Sequence, residues 1–247
     1  MLDTLLIFIL IGFAAQMVDG ALGMAFGVIS TTLLISMGVP PALASASVHA
    51  VECVTTGVSG VSHVYHRNVD WKLFKRLALP GILGGVTGAY VISNIDASMA
   101  KPFVLAYLSI IGFILIYRAL RWPPQVKHPK YVAPLGIAGG FLDAAGGGGW
   151  GPVVTSNLLI QGSSPRQTIG TVNSVEFFLT ISISVTFLLS MGPEIITQSA
   201  IGLLIGGVIA APFGAMMAKH IPTKPLLLMV GIILTLTSLY GIYHAIY

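Results

Sequence analysis

The residues best suited to chemistry in this sequence are four acids that lie within or beside apolar segments. Asp19 and Asp143 each stand at the start of a glycine-rich run, DGALGMAFG and DAAGGGGWG respectively. Glu52 and Glu176 each lie inside a long, mostly apolar stretch. A carboxyl group in a membrane-spanning helix is costly in lipid and normally faces the bundle interior or a water path. All four acids are therefore candidates for a functional site.

Other polar residues share a helical face with the two glutamates. The stretch that begins at residue 41 has polar residues at spacings of four, three, four and three, which are Ser45, His49, Glu52, Thr56 and Ser59. The stretch that begins at residue 165 repeats the pattern with Asn173, Glu176 and Thr180. Burial favours the neutral form of a carboxyl group, so we predict that Glu52 and Glu176 are proton-coupling residues. Alternatively, both are neutral acids that bond to a neighbouring helix or bend, and His49 is a satisfied interior histidine.

The two glycine-rich runs predict bends between helices. A helix that starts at such a bend directs its free amide groups and the positive end of its dipole into the protein, which suits an anion. The predicted substrate-binding residues are Asp19, Gly20, Gly23, His49, Asp143, Gly147, Gly148 and Asn173. Alternatively, the aspartates are N-caps and the glycines only permit tight helix packing. His49 and Glu52 make a weak metal pair without cysteines or a second nearby histidine, so we predict no metal and no cofactor.

Composition places these residues in a polytopic membrane protein. Of the 247 residues, 55% are hydrophobic and 8% are charged, and the mean hydropathy is +0.91, whereas soluble domains are about a quarter charged. Several apolar stretches approach the roughly 20 residues that a helix needs to cross a bilayer. The net charge of +4 comes from basic residues in short loops, which indicates membrane orientation and not nucleic-acid binding. The single cysteine, Cys53, excludes disulfides within the chain.

An internal repeat divides the chain into two parts. A gapless shift of 124 positions aligns GFAAQMVDGALGMAFGV from Gly12 with GIAGGFLDAAGGGGWGP from Gly136, and it pairs Asp19 with Asp143. The same register pairs the two glutamates, so we infer a duplication. The predicted repeats are residues 1–124 and 125–247, with segments A to E at residues 2–18, 21–37, 41–64, 75–93 and 99–118, and segments A′ to E′ at residues 133–143, 148–160, 165–190, 196–218 and 224–246.

Loop charges indicate that the two repeats are inverted, because cytoplasmic loops are enriched in Lys and Arg. The loop between segments C′ and D′, MGPEIITQ from Met191, has no basic residue. The equivalent C–D loop has four, which are Arg67, Lys72, Lys75 and Arg76. These loops are therefore predicted to face opposite sides, with both chain termini outside.

The short segment A′ suggests how each repeat enters the membrane. It has about ten residues, or ~15 Å of helix, which is half of a hydrocarbon core of ~30 Å. We therefore predict an all-α polytopic membrane protein of two inverted-topology repeats, each with a short, re-entrant A–B helix pair and three full spans. Five full spans in each repeat would satisfy the same parity.

The chain resembles the TauE/SafE sulfite exporter family of membrane permeases in the motifs DGALGMAFG, ASASVHAVE from Ala44, NVDWKLFKRLALPG from Asn68 and DAAGGGGWGP. The resemblance covers essentially the whole chain. It implies a secondary transporter of a small sulfur-containing oxyanion or organosulfonate in the cell inner membrane. The expected partners are a small anion and the lipid bilayer but no nucleic acid, and a second copy of the chain is a candidate partner.

Two other classes of function stay open at this point. A cation transporter or channel would use the four acids as a ring of charge. An intramembrane aspartyl protease would use Asp19 and Asp143 as its dyad. Capping and ion binding, however, explain acids at repeat-equivalent, glycine-rich bends without catalysis. We therefore predict a transporter and not an enzyme.

Overall fold

The structure, a computed structural model, describes residues 2–22, 24, 26–121, 129–155, 157–158, 161, 163, 165–193, 197–217 and 223–246. These residues form helices and their connections, and no β-strand occurs among them. In chain order the helices are α1 (Leu2–Leu22), α2 (Phe26–Ser36), α3 (Pro41–Tyr65), α4 (Trp71–Ser93), α5 (Ala97–Arg121), α6 (Val132–Gly146), the π-helical α7 (Trp150–Thr155), α8 (Pro165–Met191), α9 (Gln198–Met217) and α10 (Thr223–Ile246).

Several of these helices have the dimensions of membrane spans. Within the described residues, three are long and apolar enough to cross a bilayer, at Trp71–Ser93, Pro102–Arg121 and Gln167–Met191. Large apolar side chains face outward on them, and Phe103 and Leu189 are 76% and 81% exposed. Such surfaces are stable in lipid and not in water. The chain is therefore a multi-pass, all-helical membrane protein.

The predicted segments A to E correspond to α1 to α5, and A′ to E′ correspond to α6 to α10. The main difference is at α1, which has 21 residues and a length of ~31 Å. It continues through Asp19 to Leu22, four residues beyond the predicted end of segment A. Similarly, α6 has 15 residues and not about ten. Both helices are longer than predicted because each aspartate lies inside the last turn. Its carboxyl group accepts hydrogen bonds from the start of the next helix, as described below, and does not terminate the helix in which it lies.

The two bends lie at equivalent positions of the proposed repeat. Helices α1 and α6 end at Leu22 and Gly146, which are 124 positions apart, and α2 and α7 begin at Phe26 and Trp150, which are also 124 apart. Segment B′ was expected to extend to residue 160, but residues 156, 159 and 160 lie outside the described residues. The bends are therefore built on the same sequence register in both halves of the chain.

Two helix pairs pack closely through glycines. Helix α4 packs on α6, and α1 packs on α9. Gly84 lies against Ile137, and Gly88, one turn later, lies against Phe141, so α4 and α6 run parallel. A methyl group at Gly84 or Gly88 would collide with the backbone of α6. Glycine therefore sets the distance between these two helices.

Two further helix pairs run antiparallel. Helix α3 packs on α8, where Gly60 lies against Ser174 and the earlier Gly57 lies against the later Phe177. Helix α5 packs on α10 in the same manner. There Gly112 lies against Gly231, and the earlier Leu105 contacts the later residue Gly241. Each of these pairs joins helices that correspond to one another in the repeat.

Candidate functional site

The carboxyl group of Asp143 organises the bend between α6 and α7. Its Oδ1 accepts hydrogen bonds from the amides of Gly149 at 2.7 Å and Trp150 at 2.9 Å. The backbone oxygen of Asp143 accepts from the amides of Gly147 and, at 2.9 Å, Gly148. Four consecutive amides therefore bond to one residue. The side chain is 3% exposed, so these are interior hydrogen bonds, which are costly to break.

Asp19 has the equivalent role at the bend between α1 and α2. Its Oδ1 accepts from the amide of Phe26 at 3.3 Å, seven residues along the chain, just as Asp143 accepts from Trp150 seven residues later. These bonds satisfy amides at the start of the next helix, as an N-cap would, but each aspartate lies in the preceding helix and not at the N-cap position. Gly23 lies outside the described residues, and for Gly20 only its place in α1 is described, so substrate binding by these two glycines stays a prediction.

His49 connects α3 to Asp143. Its Nε2 lies 3.1 Å from Oδ2 of Asp143, and its Nδ1 lies 2.8 Å from the backbone oxygen of Ser45. A backbone oxygen only accepts, so Nδ1 is the donor in that bond. The contact with Oδ2 then requires one further proton, held by either the histidine or the aspartate. The prediction that His49 and Asp143 belong to one site therefore corresponds to a direct contact between residues 94 positions apart.

Side chains from three other helices hold the same bend. The Thr31 hydroxyl donates to the backbone oxygen of Gly147, and the Ser45 hydroxyl donates to that of Ala144 at 2.6 Å. The Tyr107 hydroxyl lies 3.4 Å from the backbone oxygen of Gly148. The buried indole of Trp150 donates to the backbone oxygen of Val172 at 3.1 Å. The bend is thereby tied to α2, α3, α5 and α8.

Gly147 and Gly148 have the backbone conformation that only glycine adopts easily, with φ of 68° and 143°. A Cβ at Gly148 would also collide with the backbone of Gly27 and Val28 in α2. These glycines therefore allow the bend to lie directly against α2. Since their amides already bond to Asp143, substrate binding by them stays a prediction that would require those bonds to be exchanged.

Among the described residues, Glu52 has the one fully buried carboxyl oxygen of the site that lacks a hydrogen-bond partner. The residue is 4% exposed, and its Oε2 is buried without a hydrogen bond. A Cβ built on Gly27 would lie 3.0 Å from Oε1, so the carboxyl group faces the first turn of α2. A buried polar group normally has a partner, and this one is directed at a helix N-terminus, where the dipole is positive.

Glu52 and Glu176 lie within electrostatic range of each other and of both aspartates. Glu176 is 9% exposed and interacts electrostatically with Glu52, Asp19 and Asp143. We refer to Asp19, Glu52, Asp143 and Glu176 as the acid cluster. It combines residues from both halves of the chain.

Asn173 has a different partner from the one its position suggests. It is equivalent to His49 in the 124-residue register, yet its Nδ2 lies 3.4 Å from Nε2 of His63, near the end of α3. His63 also contacts Asn68 at 3.3 Å. Asn173 therefore belongs to a polar group with His63, and among the described residues no hydrogen bond joins it to an acid. Its role in substrate binding stays a prediction.

Three residues around the bend were not singled out from the sequence. Thr31 and Trp150 do carry a signal, because each aligns with a similar residue, Thr155 and Phe26, in the repeat register. Tyr107 carries no comparable pattern. No group of three or more His, Cys, Asp or Glu side chains within the described residues is arranged to hold a metal ion.

Comparison with known proteins agrees with the architecture. The profile of the family described as Sulfite exporter TauE/SafE matches residues 8–241. The chain is 42% identical over 236 residues to the Probable membrane transporter protein YtnM of Bacillus subtilis (strain 168). That alignment covers 92% of this chain and 79% of YtnM. It is 22% identical over 270 residues to the Probable membrane transporter protein YunE of the same organism, covering 98% of each. No solved structure matches the chain. The chain belongs to the TauE/SafE family, whose members are membrane transporters and not enzymes.

Proposed function

We propose that the chain is a secondary transporter of a small sulfur-containing oxyanion or organosulfonate, such as sulfite, with its site at the acid cluster. The description of the family supports this class of substrate. The observation that carries the proposal is the carboxyl group of Glu52, which is buried, lacks a partner at Oε2 and faces the first turn of α2.

A neutral Glu52 would suit an oxyanion better than an ionised one. A protonated carboxyl group offers an O–H donor, and α2, which has 11 residues, adds the positive end of its dipole. An ionised Glu52 would instead repel the anion by about 4 kcal/mol at 4 Å and an effective dielectric of 20. An oxyanion beside Glu52 and the first turn of α2 is therefore bound best when Glu52 carries a proton.

Proton-linked transport follows from this arrangement. If the anion binds best when Glu52 is protonated, then anion binding also favours protonation, because linkage is reciprocal. Glu176 interacts electrostatically with Glu52 and is the second proton-coupling residue. The His49–Asp143 pair already holds its own proton and satisfies the bend, so we assign it to positioning the site.

We also propose that the two halves, residues 1–124 and 125–247, are inverted repeats. Equivalent helices α3 and α8 run antiparallel, and so do α5 and α10. The contact of α4 with α6 has its equivalent in the contact of α1 with α9. A twofold axis that relates the halves accounts for both sets of contacts. The site would then lie near the bilayer midplane at the interface of the repeats, as in other inverted-repeat transporters, and we place the protein in the cell inner membrane with both termini outside.

The experiment is uptake of radiolabelled sulfite by proteoliposomes that contain the purified protein, with and without a pH gradient. We expect saturable uptake that the gradient accelerates and that unlabelled sulfite or a small sulfonate competes away. Liposomes with the Glu52→Ala variant, which has neither charge nor donor, are the matched control and should take up little sulfite. Uptake equal to that of empty liposomes would refute the proposal.

A cation transporter is the second candidate, because the acid cluster brings four carboxyl groups together. The same proteoliposomes distinguish the two functions. Inhibition of sulfite uptake by sulfonates and not by divalent metals supports the anion. Metal-dependent flux without sulfite uptake would assign the cluster to cations.

A further inference from the structure

We propose that a cavity between α4 and the start of α6 binds the phosphate headgroup of an anionic phospholipid. The cavity has a volume of about 460 Å³. Residues of both helices line it, among them Lys75, Arg76, Leu79, Pro80, Tyr131 and Pro134. It is separate from the acid cluster, and none of its lining residues takes part in the transport mechanism proposed above.

The charges of the cavity suit a phosphodiester. Lys75 and Arg76 are adjacent and exposed, and no acidic residue lines the cavity. Among the described residues, neither of these two cations forms an ion pair. Arginine binds phosphate through two parallel hydrogen bonds, and lysine binds it as a point charge. The cavity therefore offers two unneutralised cations to one anionic group.

The start of α6 adds to this positive potential. Tyr131 precedes the helix in a left-handed conformation, with φ of 53°, and its side chain makes no capping hydrogen bond. The start of α4, in contrast, is capped by Asp70, whose Oδ1 accepts from the amides of Lys72 and Leu73. Tyr131 thus leaves the start of α6 without a side-chain cap at the edge of the cavity.

The apolar part of the cavity favours a lipid over a free anion. Leu79, one turn further into the spanning helix α4, is 65% exposed, and Tyr131 is 78% exposed. Tyrosine is typical of the membrane–water boundary, and Lys and Arg mark the cytoplasmic side. Basic pockets between helices on that side suit anionic headgroups. A headgroup at Lys75 and Arg76 would lay its acyl chains along Leu79, whereas free phosphate would leave this surface unused.

The test compares binding of phosphatidylglycerol and phosphatidylcholine to delipidated protein in detergent. We expect tighter binding of phosphatidylglycerol. Loss of one charge, in Lys75→Gln or Arg76→Gln, should weaken that binding about fivefold, and the double variant should weaken it roughly 25-fold. Lys72→Gln is the matched control, because it removes the same charge from the first turn of α4 but does not line the cavity. Lys75→Arg should retain binding.

Three results would overturn the proposal. Equal binding of the two lipids by the parent protein would show that the headgroup charge is not recognised. An equal loss in Lys72→Gln would indicate diffuse attraction to a basic surface and not a site. Displacement of the lipid by inorganic phosphate at equal concentration would assign the cavity to a free anion. Thermal unfolding of each variant in phosphatidylcholine checks that it is folded, and the comparison of lipids in the parent does not depend on any variant.

Discussion

Replacement of Asp143 tests whether one carboxyl group holds the bend between α6 and α7. In Asp143→Ala the amides of Gly149 and Trp150 lose their acceptor, and His49 loses its partner inside the protein. Loss of an N-cap costs about 1 kcal/mol, and removal of one member of a buried pair costs about 3 to 5 kcal/mol. We therefore expect the variant to lose at least 3 kcal/mol of unfolding free energy.

Two variants separate the contributions to this loss. Asp143→Asn keeps an acceptor for the amides, and its NH₂ group can donate to Nε2 of His49, so we expect a loss of only about 1 to 2 kcal/mol. Asp70→Ala is the matched control, because Asp70 also accepts from two amides at the start of a helix, at 2.8 and 3.2 Å, but at the exposed end of α4 and without a histidine. It should lose about 1 kcal/mol.

The assay is equilibrium unfolding in mixed detergent micelles, followed by tryptophan fluorescence, to which the buried Trp150 contributes. A double-mutant cycle with His49→Ala measures the pair directly. In the Asp143→Ala background, the further change His49→Ala should lower the unfolding free energy only slightly. The reasoning would be refuted if Asp143→Ala lost no more stability than Asp70→Ala.

Three further predictions concern the bend, the glutamates and the topology. Gly148→Ala should sharply reduce the yield of folded protein, because φ is 143° and the backbone of α2 leaves no space for a methyl group. Gly38→Ala, with φ of 92° but nothing within 4 Å, should cost only about 1 kcal/mol of backbone strain. Equal yields of the two variants would contradict this account of the bend. The double variant Glu52→Gln, Glu176→Gln should retain sulfite uptake in proteoliposomes but flatten its pH dependence, because amide side chains do not titrate. An unchanged pH profile would make both glutamates structural. Single cysteines at positions 66 and 193, in His66→Cys and Pro193→Cys, should react with impermeant reagents from opposite sides of the membrane. Both are introduced into a Cys53→Ser background, which preserves the contact with Ser184. Reaction of both from one side would exclude the inverted arrangement.

Helix positions could be predicted from the sequence because hydropathy and proline or glycine positions mark them. Helix α3 begins at Pro41, as expected for a residue whose missing amide donor costs nothing in the first turn. Helix α4 begins at Trp71 and not at residue 75, since Asp70 caps it. The lengths of α1 and α6 could not be predicted, because an aspartate before a glycine-rich run looks like the end of a helix. In the structure each aspartate lies inside its helix, and its carboxyl group accepts a hydrogen bond from the first residue of the next helix.

The acids of the candidate site could be proposed from the sequence, but their contacts could not. Acids in apolar segments indicate an interior site whatever the packing. The contact between His49 and Asp143, in contrast, depends on how α3 lies against α6, and no local pattern specifies that. Asn173 shows the limit of the repeat register. It aligns with His49, but it contacts His63 because the two halves differ in their side chains.

The most direct test of the proposed site is the number of protons taken up when sulfite binds. Titration calorimetry of the purified protein in buffers of different ionisation enthalpy gives this number for the parent and for Glu52→Gln. The anion's own protonation is the same in both, so the difference reports Glu52. We predict that the parent takes up more protons than the variant, by up to one per site. Tight sulfite binding with equal proton uptake in the two proteins would contradict a protonated Glu52 as the donor to the anion.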